Sequence, residues 1–173
     1  MEVREKIGWK TRFVISKFTD PTGEIAQALK NGAPVEDFLD KMVGQELIEG
    51  NVALNEGLQQ LIDILIGADT TNLYTNALAR IGVGNSNTAE VATQTALIGT
   101  STFAAMDVTY PSRTNQTVKF RGTFPTGQAE FAWEEYTVDN GSTPNKNLMR
   151  KTQSKGTKAS GETWTLEVQI TFS

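Results

Sequence analysis

The chain has 173 residues, a net charge of −4, 38% apolar and 21% charged residues, and neither cysteine nor histidine. That length suits one ordinary domain, and the composition is that of a folded globular protein, not a disordered one. The two missing residue types exclude thiol nucleophiles, histidine general bases, Cys/His zinc sites and haem ligation together.

In chain order, Met1 to Lys6 is charged and no apolar core follows it, so it does not read as a secretory signal. Residues 7–18 alternate: Ile7, Trp9, Phe13 and Ile15 share one parity, with Lys10, Arg12 and Ser16 on the other. A period of two predicts a half-buried strand. It is either a strand of the domain's own sheet or an arm that pairs with a neighbour through main-chain hydrogen bonds. On the arm reading, the partner-binding residues are Ile7, Trp9, Arg12, Phe13 and Ile15. Asp20-Pro21-Thr22-Gly23 reads as a turn.

Residues 24–49 read as helical. Ile25, Ala28 and Leu29 form one stripe, Asn31-Gly32 stops it, and Pro34 opens a second segment in which Phe38, Leu39, Met42 and Val43 share a face. Residues 51–66 give the clearest helix: Asn51 is the expected N-cap, and Leu54, Leu58, Leu61, Ile62, Leu65 and Ile66 recur at helical spacing before Gly67. Its wide apolar face is expected to pack on a sheet. No apolar run reaches about 18 residues, so no membrane-spanning helix is expected.

After Asp69, helical periodicity gives way to Gly, Thr, Asn and Ser. A strand is expected at 77–83, closed by Gly84-Asn85-Ser86-Asn87, and then an extended connector over 88–102. Further strands are expected at Met106–Tyr110, at Val118–Phe124 and from Ala129 to Val138. Pro125-Thr126-Gly127 is expected to join the last two as a hairpin, with a bulge at Glu134-Glu135. At the C-terminus Trp164, Leu166, Val168, Ile170 and Phe172 alternate with polar residues, as in an antiparallel strand with one face on a core.

Without βαβ alternation, the fold class expected is mainly β (α+β): an antiparallel β-sandwich or a jelly-roll/Greek-key-like domain, with a helical segment in the N-terminal third. The expected organisation is a strand or arm over 1–18, helices packed on the sheet over 19–67, and a β-domain over 68–173 that forms one unit with 19–67.

The residues that invite a chemical reading have simpler ones. Gly82-Val83-Gly84 is half of a dinucleotide fingerprint, without its third glycine or its helix. Glu134 and Glu135 are strand neighbours, which point to opposite faces, so a solvated edge or bulge is expected. Glu36, Asp37 and Asp40 suit a helix N-terminus. Trp9, Trp133 and Trp164 lie on apolar parities, as core residues do. Lys146, Arg150, Lys151, Lys155 and Lys158 form only a loose basic cluster on an acidic chain, so nucleic acid is not expected as a partner. No catalytic residue, cofactor or metal site is expected.

One stretch resembles a known group. Leu54-Asn55-Glu56-Gly57-Leu58, Leu61-Ile62-Asp63-Ile64-Leu65-Ile66-Gly67, Ala79-Arg80-Ile81-Gly82-Val83-Gly84-Asn85-Ser86-Asn87-Thr88-Ala89 and Thr95-Ala96-Leu97 together resemble a pattern in small tailed-bacteriophage virion proteins. Gly156-Thr157-Lys158 and the strand after it suit the same group. The resemblance implies a capsid decoration (cement) protein with a jelly-roll-like or Greek-key β-domain, often trimeric. Its partners would be the major capsid protein and copies of itself. A tail tube, terminator or baseplate component is the alternative, and a glycan-binding fibre domain or an acid-dependent hydrolase the next.

Overall fold

The computed structural model describes residues 8–173. Its architecture follows from the two long alternating segments at the chain ends. Strand β1 (Trp9–Thr19) and strand β10 (Glu162–Phe172) pair antiparallel over eleven residues, from Trp9 opposite Phe172 to Thr19 opposite Glu162. Their apolar parities coincide, so Phe13, Ile15, Leu166, Val168 and Ile170 all bury on one face.

Two antiparallel five-stranded sheets make a mainly β, sandwich-type fold. The first has the order β2 (Met42–Glu49), β1, β10, β7 (Thr117–Phe124), β6 (Ser112–Thr114). The second has the order β3 (Val52–Ala53), β9 (Asn147–Thr152), β8 (Glu135–Asp139), β4 (Arg80–Gly84), β5 (Ser101–Ala105). One core lies between them. Ile81, Val83, Tyr136, Val138 and Met149 of the second sheet meet Phe13, Phe120, Phe124, Leu166 and Val168 of the first. Trp133, on the segment that crosses from β7 to β8, lies 5.0 Å from Phe124 and 4.9 Å from Trp164, ring centre to ring centre. Its indole N–H donates to the Ala129 carbonyl at 3.0 Å, so the polar edge of the ring is satisfied inside the core.

A smaller core sits on the other face of β1. Phe18, of the opposite parity to Phe13 and Ile15, packs there with Ile25 and Leu29 of helix α1 (Glu24–Lys30) and with Val35, Phe38 and Met42. Helix α2 (Asn55–Leu65) lies against β9.

Several expectations are corrected. The second helical segment after Pro34 is a 3-10 turn over Val35–Lys41 followed by strand β2. Pairing with the edge of β1 overrides a helical pattern that few contacts support. Asn51 is not an N-cap: Val52–Ala53 pairs with β9, and α2 begins after Leu54 without a side-chain cap. Met106–Tyr110 is not a strand; pairing runs through Ser101–Ala105, and Thr109 turns the chain at φ 75°. Pro125-Thr126-Gly127 does not close a hairpin, because β7 and β8 belong to different sheets. No bulge occurs at Glu134-Glu135; β8 starts there. Strand β9 was not anticipated, since its residues, Asn147 to Thr152, show little apolar alternation. Strand β1 has β2 on one side and β10 on the other, so residues 9–18 are a strand of the domain's own sheet and not an arm.

Candidate functional site

Strand β8 is buried at every position. Tyr136 and Val138 face the core, while Glu135, Thr137 and Asp139 face the other way; residues 85–100 cover Glu135, and Asp139 is held by Arg80 and Asn145. Glu135 and Arg150 form an ion pair with no exposure on either side chain, Arg150 Nη2 lying 2.7 Å and Nε 2.9 Å from Glu135 Oε2. The other donor groups close the network onto the cover. Arg150 Nη1 donates to the Thr88 carbonyl at 2.8 Å and to Gln94 Oε1 at 3.1 Å. The amides of Ile98 and Gly99 donate to Glu135. Asn147 donates to the Thr95 carbonyl, Thr152 to Glu90, and Lys151 lies 3.5 Å from Glu90. A buried charge pair persists when its remaining donors and acceptors are used, and here they hold a segment without regular structure flat on a sheet.

Gly82 and Gly84 make that layering possible. A Cβ on Gly84 would stand 2.5 Å from Glu135 Oε1, and one on Gly82 would stand 2.5 Å from the Phe103 ring. The partial dinucleotide motif is therefore a pair of strand glycines under close-packed side chains.

The first sheet carries a second buried pair. Arg121 Nε donates to Asp107 Oδ2 at 2.7 Å, and Thr123 donates to the same oxygen at 2.8 Å. Arg121 Nη2 reaches the Leu29 and Ala33 carbonyls, tying the end of α1 to β7. Asp107 Oδ1 is buried without a partner, and burial pushes the carboxyl above its usual value against the pull of Thr123 and Arg121. Asp20 acts as a remote cap: its carboxylate accepts from the amides of Ile25 and Ala26 and from the Thr163 hydroxyl.

The sequence-derived partner residues separate. Phe13 and Ile15 have no exposed surface and belong to the core, so neither is a contact residue. Trp9 is half-buried and Arg12 exposed, both at the rim of a groove of about 480 Å³ with Glu49 and Asn51. Ile7 lies outside the described residues. The loose basic cluster is dispersed into separate contacts. Lys146 faces Glu56, Arg150 faces Glu135, Lys151 faces Glu90 and Lys155 faces Glu46, while Lys158 is buried with its Nζ donating to the Pro125 carbonyl. Burial pulls the Lys158 ammonium below the usual lysine value. Glu135, expected at a solvated edge, is instead fully buried, because residues 85–100 cover it. Trp133 and Trp164 are core residues. Among the described residues, no group of three acidic side chains is placed to hold a metal ion.

Two open surfaces were not anticipated. One is β2, an eight-residue edge strand with Val43 and Leu47 exposed; the other edge strands, β3, β5 and β6, have two, five and three residues. The other is the outer side of α2. This helix meets the sheet through Gly57, Gln60 and Leu61 and leaves Leu58, Ile62 and Leu65 exposed beside Trp9 and Phe172, along a groove of about 450 Å³. The expectation that its whole apolar face packs on a sheet is corrected accordingly. The signal was Gly57: a glycine inside a helix marks the side of close approach, and that side is not the one carrying Leu58, Ile62 and Leu65. Compared with protein-family models, curated proteins and solved structures, the chain matches none.

Proposed function

We propose that this chain is a structural, non-enzymatic protein of a tailed-bacteriophage particle, placed on the capsid as a decoration protein that contacts the major capsid protein and copies of itself. Two lines of support differ in kind. The stretch from Leu54 to Leu97 resembles tailed-phage virion proteins, and its turn and connector are hydrogen-bonded into the cover of the second sheet by the Glu135–Arg150 network. The observation that carries the reading is the free edge of β2. Along its eight residues every second one turns its N–H and C=O away from β1, unpaired among the described residues, with no proline in the strand and with Val43, Gln45, Leu47 and Glu49 on the outward parity. Such an edge is a template for strand addition, which binds through the backbone and needs no reactive group. In this reading the adhesive strand is β2, not β1.

The test is co-sedimentation of the purified protein with shells assembled from the major capsid protein of the same genome. The wild type is expected to pellet with shells, and the Val43→Lys/Leu47→Lys double variant to lose at least ten-fold in affinity, about 1.4 kcal/mol. Antibody labelling along the tail, or no binding to shells, overturns the assignment.

A further inference from the structure

We infer that the outer side of α2 is a self-docking surface, covered by a second copy of this chain. The exposed side chains are large: Leu65 is 83% exposed, Ile66 70%, Ile62 56%, Leu58 38% and Phe172 38%. Leu58, Ile62, Leu65 and Phe172 line one groove with the half-buried Trp9, and Ile66 follows at the end of the helix, whereas scattered apolar residues are normal on a surface.

Three observations select the occupant. The first is charge. The polar positions of α2 are Asn55, Glu56, Gln59, Gln60 and Asp63, with no lysine or arginine on the helix. A helix that lies on a lipid surface carries basic flanks, and a nucleic-acid surface needs cations; this one suits neither. The second is shape. Leu58, Ile62, Leu65 and Ile66 stand at i, i+4, i+7 and i+8, a ridge that seats in the groove of another such helix at about 8–10 Å between axes. A second copy brings the same uncharged ridge, so one contact satisfies both surfaces. The third is area. These exposures leave roughly 500 Å² of apolar side chain in water, so full cover by a second copy removes about 1,000 Å² before any polar rim is counted, the floor that a biological interface must clear.

The inference uses residues other than the β2 edge and does not rest on placement in a particle. The test is the mass of the full-length protein in solution by sedimentation equilibrium, for the wild type, Leu65→Glu and Ile62→Glu. Leu65 is the last residue of the helix and mostly exposed, so its replacement leaves the core untouched. An oligomeric wild type is expected, with both variants monomeric and unchanged in circular dichroism. Because the chain has no cysteine, Leu65→Cys adds a single thiol. It is expected to form a disulfide between copies on mild oxidation, while Leu39→Cys, an exposed site elsewhere, stays unlinked. A monomeric wild type, or an oligomer that persists in both glutamate variants, overturns the inference. A monomer that still binds shells sinks this inference alone; an oligomer that ignores shells sinks the capsid assignment alone.

Discussion

Glu135 shows what burial does to an ordinary residue. Its carboxylate takes hydrogen bonds from Arg150, Ile98 and Gly99. Glu135→Ala is expected to cost about 3–5 kcal/mol in urea unfolding, because it strands a buried guanidinium. A Glu135→Leu/Arg150→Met double variant is expected to lose much less, since removing both charges removes the desolvation cost with them. Asp69 works at the surface. It accepts from the amides of Asn72 and Thr71, each at 2.9 Å, and from Gln60 Nε2 at 3.0 Å, and these bonds, that from the Asn72 amide foremost, hold its carboxyl well below the ordinary 3.8. Its folded value lies below its unfolded one, so its contribution to stability is complete above about 3.8 and is lost as pH falls towards the folded value. The wild-type melting temperature should therefore fall on acidification through that range, and Asp69→Asn should lower it at neutral pH while flattening the acid limb. Neither role was legible beforehand. Glu135 reads as a solvated carboxylate until residues 85–100 lie over it, and those residues carry no periodicity that announces a cover.

At the scale of elements, α2 was legible in its existence and misread in its orientation. Six apolar residues at helical spacing predict a helix wherever it packs, but the packed side is decided by Gly57. A Cβ there would stand 2.6 Å from the Asn147 carbonyl oxygen and 2.6 Å from Leu148 Cα, both backbone atoms that cannot swing aside. Gly57→Ala is the substitution that ordinarily stabilises a helix by about 1 kcal/mol. Here it is expected to destabilise by about 1–3 kcal/mol, as overpacking does, measured as a lower urea midpoint with an unchanged slope. The segment after Pro34 was misread for a related reason. Phe38, Leu39, Met42 and Val43 fit a helical face, yet Met42 and Val43 belong to β2, where Met42 packs beside Phe18 and Val43 faces water. Short apolar runs suit either period, and the free edge of β1 settles the choice.

At the scale of the molecule, β1 and β10 lie side by side at the centre of one sheet, flanked by β2 and β7. That placement gives β1 a paired neighbour on both sides and leaves β2 as the edge strand. The chain also changes sheets between β2 and β3, β5 and β6, β7 and β8, and β9 and β10, so neighbours in sequence are often not neighbours in a sheet. By itself the sequence determined the mainly β class, the inward faces of β1, β7 and β10, the existence of α1 and α2, and the absence of thiol and imidazole chemistry. Those properties depend on residue type and on periods of two or about 3.6, which are local. Only the tertiary structure decided which strands pair, that Glu135 and Arg150 are buried while Leu65 and Val43 are not, and which edge stays open. Each depends on what lies across from a residue in space, and local alternation carries no information about that.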